Sequence, residues 1–210
     1  MGGKRERARW PLIVVGAAFA ALGVVISAYV LYALASPDLP DELVSESAGE
    51  PAPRAHELDR LASGASRDFE SAPGAIMMLT IPKIGLHKAP VYPSADRAAL
   101  NSGIAHVPET SLPWDDSSHR NVYLAGHRLG WPGTRARLIF YRLDELEVGD
   151  EILLEDDEGN LYRYRVSEAF VVEPTDAWVM GQVRGRDMVT LQTCTLPDLD
   201  KRLIVRADRV

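Results

Sequence analysis

No charged residue occurs from Trp10 to Pro37, and residues 11–35 consist almost wholly of Leu, Ile, Val, Ala, Gly, Phe and Tyr. At about 1.5 Å rise per residue, a helix of that length exceeds a hydrocarbon core of about 30 Å, so the segment predicts a transmembrane helix over 11–35. Lys4, Arg5, Arg7 and Arg9 precede it against one Glu6, and Asp38, Asp41 and Glu42 follow it. That asymmetry assigns residues 1–10 to a cytoplasmic basic tail and everything after Ser36 to the outside of the cell membrane, in a single-pass arrangement. The competing reading is a cleavable signal peptide ending at Ala33-Leu34-Ala35, but the apolar run is longer than the about 7–15 residues such peptides use.

Composition changes over residues 36–75, where Pro37, Pro40, Pro51, Pro53 and Pro73 stand among Ser, Gly, Glu and Ala with few large apolar side chains. Such a stretch buries too little surface to offset chain entropy, so a flexible extracellular linker is expected. One or two helical turns are expected within it at 56–63, with Leu58 and Leu61 on one side. Residues 76–210 are left, the size of one domain. The formal net charge of -7 argues against a nucleic-acid surface, which is ordinarily basic.

Within 76–210 the text is mainly β. Short apolar or alternating runs occupy 76–81 and 88–92, cut by Pro82, Gly85, Pro90 and Pro93, and residues 122–125 read as a buried strand ending at Gly126-His127. Residues 151–155, the turn Asp156-Asp157-Glu158-Gly159-Asn160 and residues 161–172 predict a hairpin. In its second arm Tyr162 and Tyr164 alternate with Arg163 and Arg165, the period of a strand with one wet face. Residues 188–194 and 202–207 add two strands, with helical patches at 96–100 and 138–146. Many short, closely spaced strands indicate a closed or nearly closed β-barrel.

Cys194 is the chain's single cysteine, and outside a cell it has no disulfide partner within its own chain. It is therefore either an inert buried filler or a nucleophile, and a nucleophile needs a neighbouring cation or base. Of five histidines, His127 is best placed, at the end of a buried strand with Gly126 permitting another segment to approach closely. Arg202 follows the cysteine by one short loop, where it could serve an oxyanion from the adjacent strand. Each residue alone has a structural explanation at least as good; the combination favours chemistry. The acidic run 155–158 lacks the spaced ligands of a calcium loop and reads as a solvated turn, and no zinc spacing, P-loop or dinucleotide fingerprint is present, so neither metal nor cofactor is expected.

Thr190-Leu191-Gln192-Thr193-Cys194, Leu124-Ala125-Gly126-His127-Arg128 and the strand Arg202-Leu203-Ile204-Val205-Arg206-Ala207 resemble, in order, the TLxTC, AGH(R) and arginine-strand signatures of sortases. Further similarity lies in Ile81-Pro82-Lys83-Ile84-Gly85, in Leu100-Asn101-Ser102-Gly103-Ile104-Ala105-His106-Val107-Pro108 and in residues 143–152. The resemblance spans 76–210 and implies a sortase catalytic domain there, an eight-stranded barrel in a membrane-anchored cysteine transpeptidase of the Gram-positive type. By it Cys194 would be the nucleophile, His127 the general acid and base, and Arg202 the stabiliser of oxyanion and substrate. Thr193 and His106 would lie near substrate, with a structural role as the alternative: a β-former for Thr193 and, the preferred reading for His106, a supporting residue behind the groove. The implied substrate is an LPxTG-like sorting signal on a surface protein, and the implied acceptor an amine of a peptidoglycan precursor or a pilin lysine. A single N-terminal anchor and the TLxTC form look more like classes D, E or F, with E favoured, than the lidded class C; Asp68-Phe69 is the one pair that resembles a lid anchor. Two other functions fit the same residues: a tethered barrel that binds extended peptides without catalysis, and a cysteine peptidase that releases substrate to water.

Overall fold

The computed structural model describes residues 55–63 and 72–210. The expected transmembrane helix, most of the linker and the Asp68-Phe69 pair lie outside the described residues. Among the described residues no helix is long and apolar enough to cross a membrane. The helical turns expected in the linker form α1, Ala55–Ser63.

Eight strands follow: β1 (Met77–Ile81), β2 (Leu86–Tyr92), β3 (Ile104–His106), β4 (Arg120–Ala125), β5 (Glu151–Asp156), β6 (Leu161–Val172), β7 (Asp187–Cys194) and β8 (Arg202–Arg209). They close in the order β1-β2-β3-β4-β7-β8-β6-β5, with β5 returning to β1. Closure gives every strand a neighbour on both sides, although β3 pairs with β2 and with β4 over only two residues each. Only β2/β3 and β4/β7 run parallel; every other neighbour is antiparallel. Period-two patterning fills the interior: Met77, Leu79 and Ile81 of β1 are buried between partly open Met78 and Thr80. Tyr162, Tyr164 and Val166 point inward on β6 while Arg163 and Arg165 stay exposed, as the alternation predicts. Leu124, Phe140, Leu143, Ile152, Leu154, Val189, Leu191 and Val205 complete the core.

Two elements differ from the sequence-based expectation. Strand β3 has only three residues and follows directly on helix α2 (Arg97–Ser102), whose N-cap Asp96 accepts a hydrogen bond from Ala99 N at 2.8 Å. A strand so short shows too little alternation to be read. Residues 138–146 have helix-like apolar spacing, yet only Leu143–Glu145 forms a 3-10 turn. The backbone N–H of Phe140 donates to the carbonyl of His127 at 3.0 Å instead of to the fourth residue before it, and the surrounding bonds skip three residues. A tertiary bond therefore takes the donor that an α-helix would need.

All six residues of β4 are wholly or partly buried, because both of its faces are covered. Val122 and Leu124 enter the barrel, while Tyr123 joins Val172, Val179 and Ile204 in a second cluster beneath the β6–β7 connection. Asn121 fastens that connection: its Nδ2 donates to the carbonyls of Val179 at 3.0 Å and Gly181 at 2.9 Å, and its Oδ1 accepts from Thr190 Oγ1 at 2.7 Å. Phe170 and Trp178 stack at 5.7 Å, and the buried Arg206 guanidinium lies 5.2 and 5.3 Å from their centroids. Arg206 also pairs with Glu168 and donates to the Val179 carbonyl. Substituting Arg206→Met removes the cation–π and ionic contacts and is expected to cost about 1–2 kcal/mol. Thermal unfolding would read that loss, and hydrogen exchange should quicken in residues 173–182 before the strands; unchanged exchange there would refute the fastening role.

Candidate active site

Strand pairing builds the site from two ladders. In the parallel β4/β7 pair Ala125 is level with Gln192. The junction continues past the end of β4, since Gly126 N donates to Gln192 O at 3.0 Å and Thr193 Oγ1 donates to Gly126 O at 2.9 Å. His127 and Cys194 each lie two residues past the last paired residues of this ladder, Ala125 and Gln192, at the same end of it. In the antiparallel β7/β8 pair Cys194 directly faces Arg202, the final rung of that ladder. Three residues separated by 67 and 8 positions in sequence thus share one rim of the barrel.

The His127 segment is held by close packing. An added Cβ at Gly126 would lie 2.6 Å from the Phe140 ring, so no larger residue fits the crossing. A Cβ at Gly130 would lie 2.8 and 2.9 Å from His127 Cδ2 and Cγ, which makes this glycine the floor beneath the imidazole. His127 Nε2 lies 3.3 Å from Asn101 Oδ1 at the end of α2, and Asn101 O accepts from Ala136 N. An Asn oxygen is an acceptor, so Asn101 can hold the ring through this nitrogen whenever it carries a proton. Arg128 is buried and forms an ion pair with Asp144, a structural tie for the same loop.

Cys194 is half-buried, as is Arg202. Arg202 Nη1 donates to the carbonyls of Lys201 at 3.1 Å and Leu199 at 3.3 Å. Leu199 sits in the left-handed region with φ 59°, an uncommon conformation for a leucine, and its N–H bonds back to Thr195 O. The β7–β8 loop is therefore folded on itself beneath the guanidinium.

A groove of about 280 Å³ leads to this rim. Ala105, Tyr123, Ala125 and Gln192 contribute from the sheet, Leu100 and Val107 from beside β3, and Pro174, Val179 and Met180 from the β6–β7 connection. Its lining ends at Ala125 and Gln192, two residues short of His127 and Cys194.

A sortase domain model matches residues 79–210. The chain belongs to the sortase family. Among curated proteins, Sortase A of Streptococcus agalactiae serotype III (strain NEM316) is 25% identical over 130 residues, covering 62% of this chain and 51% of that protein. The chain thus spans about half the length of this relative. Among solved structures, sortase C1 from Streptococcus agalactiae aligns with TM-score 0.58 and 32% identity, over 75% of this chain and 77% of that one. Sortase C-1 from Actinomyces oris aligns with TM-score 0.59 and 28% identity, over 84% and 85%.

Within this sortase domain, Thr193 and His106, both expected near substrate, have other partners. The Thr193 hydroxyl is buried and bonded to Gly126 O, where it joins β7 to the His127 segment. His106 is 3% exposed, and its Nε2 lies 3.0 Å from Ser111 O and 3.3 Å from Thr110 Oγ1. Its neighbours Ala105 and Val107 line the groove; His106 does not. Asn101 and Gly130 were not singled out by the sequence reading, because nothing in their local pattern shows that both meet His127. The acidic β5–β6 turn also organises itself: the Asp156 carboxylate accepts from Glu158 N, Asn160 N, Asn160 Nδ2 and Tyr162 Oη.

Burial holds the His127 imidazole below the ordinary histidine value of 6.5, because desolvation disfavours its cation. For a Cys-His pair the acid limb of kcat/KM follows the lower-titrating member, whichever way the proton is shared. Lowering the His127 pKa moves the acid limb down, so activity should persist below pH 6.5 before it falls. Initial rates from pH 4.5 to 9 check this; a limb centred at or above 6.5, or no pH dependence, would contradict it.

Proposed function

We propose that this chain is a membrane-anchored cysteine transpeptidase acting outside the cell, held by a helix at residues 11–35. It cleaves an LPxTG-like sorting signal and passes the acyl group to an amine. The observation that supports the reading is that Cys194 faces Arg202 at the last rung of β7/β8 while His127 follows the last paired residue of the neighbouring β4 by two positions, beside a groove lined by Ala125 and Gln192.

The steps balance as follows. Cys194 Sγ, as thiolate, attacks the carbonyl carbon of the signal's threonine, and the resulting oxyanion is stabilised by the Arg202 guanidinium. The C–N bond breaks as the imidazolium of His127 gives its proton to the departing amine, leaving a thioester on Cys194. An incoming amine then attacks the thioester carbonyl and gives a proton to His127; the C–S bond breaks and the thiolate returns. The groove holds the acyl portion throughout, which keeps the thioester in place until the amine arrives. A peptidoglycan precursor or a pilin lysine would supply that amine.

The test is mass spectrometry of the full chain in detergent, incubated with libraries of LPxTG-like and LAxTG-like peptides, with and without amine acceptors. The expected result is an acyl adduct on Cys194 that an amine converts to a new amide. Release only to water would make the protein a cysteine peptidase, and peptide binding without an adduct would make it a binding module.

A further inference from the structure

Tyr123 and Gln192 form a polar pair on the sheet side of a groove whose remaining lining is small or apolar except for Glu173 and Asp176 on the β6–β7 connection. They lie on the parallel neighbours β4 and β7, with Tyr123 level with Thr190 and Gln192 one pleat further along. The Tyr123 hydroxyl donates to Gln192 Oε1 at 2.6 Å. Burial pushes the Tyr123 phenol far above its ordinary value, so it keeps the proton it donates. Accepting that proton fixes the rotation of the Gln192 amide and leaves its two Nε2 hydrogens as the pair's donors. Nε2 has no hydrogen-bond partner among the described residues.

Position along β7 gives this donor its meaning. Gln192 and Cys194 are two residues apart on one strand and therefore face the same way, about 6.7 Å from each other along the strand. An extended peptide has the same repeat. With the residue that bears its scissile carbonyl at Cys194, the residue two before that one lies level with Gln192. The part of the substrate in the groove must be the acyl part, because only that part stays bound while the leaving amine departs and the acceptor enters.

We propose that Gln192, oriented by Tyr123, is a substrate-binding residue whose Nε2 donates to the backbone carbonyl of the residue two before the scissile threonine, the proline of an LPxTG-like signal. This deepens the transpeptidase reading and rests on it. The donor reads the main chain, so it demands an extended backbone with an acceptor at that position and tolerates different side chains. Tyr123 is a positioning residue: it touches the amide and sets which of its two ends faces substrate.

The test replaces one peptide bond by an ester. An LPxTG-like peptide carrying an α-hydroxy acid at the x position has, as the preceding proline carbonyl, an ester oxygen that is a poorer acceptor. Binding of the amide and ester peptides is measured by calorimetry on the full chain in detergent, in a Cys194→Ala background that cannot acylate. With Gln192 present, the ester should bind about five- to tenfold more weakly, the worth of one hydrogen bond. With Gln192→Leu, or Gln192→Met should the first variant fold poorly, amide and ester should bind alike, both at the ester's level. With Tyr123→Phe the amide can rotate and the difference should shrink to about two- to threefold.

An ester penalty that survives in both Gln192 variants would overturn the proposal, as would its absence with Gln192 present. Acyl transfer is read separately, on the chain that retains Cys194. Binding with the expected ester penalty but no adduct would sink the transpeptidase reading and leave the recognition by Gln192 standing. An adduct without any ester penalty would do the reverse, and failure of every peptide to bind would overturn both.

Discussion

Cys194→Ala should abolish both the acyl adduct and amine-dependent product formation, lowering turnover at least about 10⁴-fold, because the covalent intermediate has no other nucleophile on which to form. The chain holds no second cysteine to take over. The fold should be unaffected: Cys194 is half-buried at the last rung of β7, its strand neighbour Thr193 keeps the bond to Gly126, and alanine is smaller. Melting temperature therefore separates loss of chemistry from loss of structure. Peptide affinity should also persist, since the groove lining ends before Cys194. Turnover within tenfold of the parent in a correctly folded Cys194→Ala chain would remove the basis for a cysteine mechanism.

Gly130→Ala is the second large effect, and only the tertiary structure suggests it. The new methyl carbon would sit 2.8 Å from His127 Cδ2 and 2.9 Å from Cγ, with Arg137 Cα at 3.2 Å behind. The backbone has little room to yield, because Gly130 N donates to Arg137 O at 2.7 Å. The imidazole must shift, giving up its contact with Asn101 and its place beside the end of β7. A displacement near 1 Å is worth about 10²-fold in rate, so kcat should fall by about that factor with KM little changed. Overpacking should cost about 1–3 kcal/mol of stability, which leaves a folded protein in which to measure it. Steady-state kinetics with a peptide and an amine acceptor, paired with the histidine ring resonances in NMR, distinguish a moved base from a weakened groove. A kcat within threefold of the parent would show that the ring does not rest on Gly130.

Much of the barrel was legible because its signals are local. The alternation Tyr162, Arg163, Tyr164, Arg165 states a strand with one wet face, and β6 has that face. Asp156 through Asn160 states a turn, and the Asp156 carboxylate closes it. What failed was decided by distant partners. Residues 138–146 carry helical spacing, but the N–H of Phe140 goes to His127 O, and one such bond is enough to break an α-helical ladder. Strand β3 exists through its partners Val91, Tyr92, Leu124 and Ala125 and has too few residues to state a period of its own.

For the site, residue identity and geometry divide along the same line. Residue type makes the lone thiol Cys194, His127 after a buried strand and Arg202 one loop beyond the cysteine candidates, and the sortase signatures around them are what single them out. Their convergence needs the parallel pairing of β4 with β7, a contact between segments more than 60 residues apart. Asn101, Gly130, Tyr123 and Gln192 have ordinary neighbours in sequence; each acquires its function from what lies opposite. The candidate residues were therefore legible in residue type and in the family's signatures, which record what a residue is. Their positioning was decided by the closed barrel, because a hydrogen bond or a 2.8 Å approach depends on two segments that the sequence lists far apart.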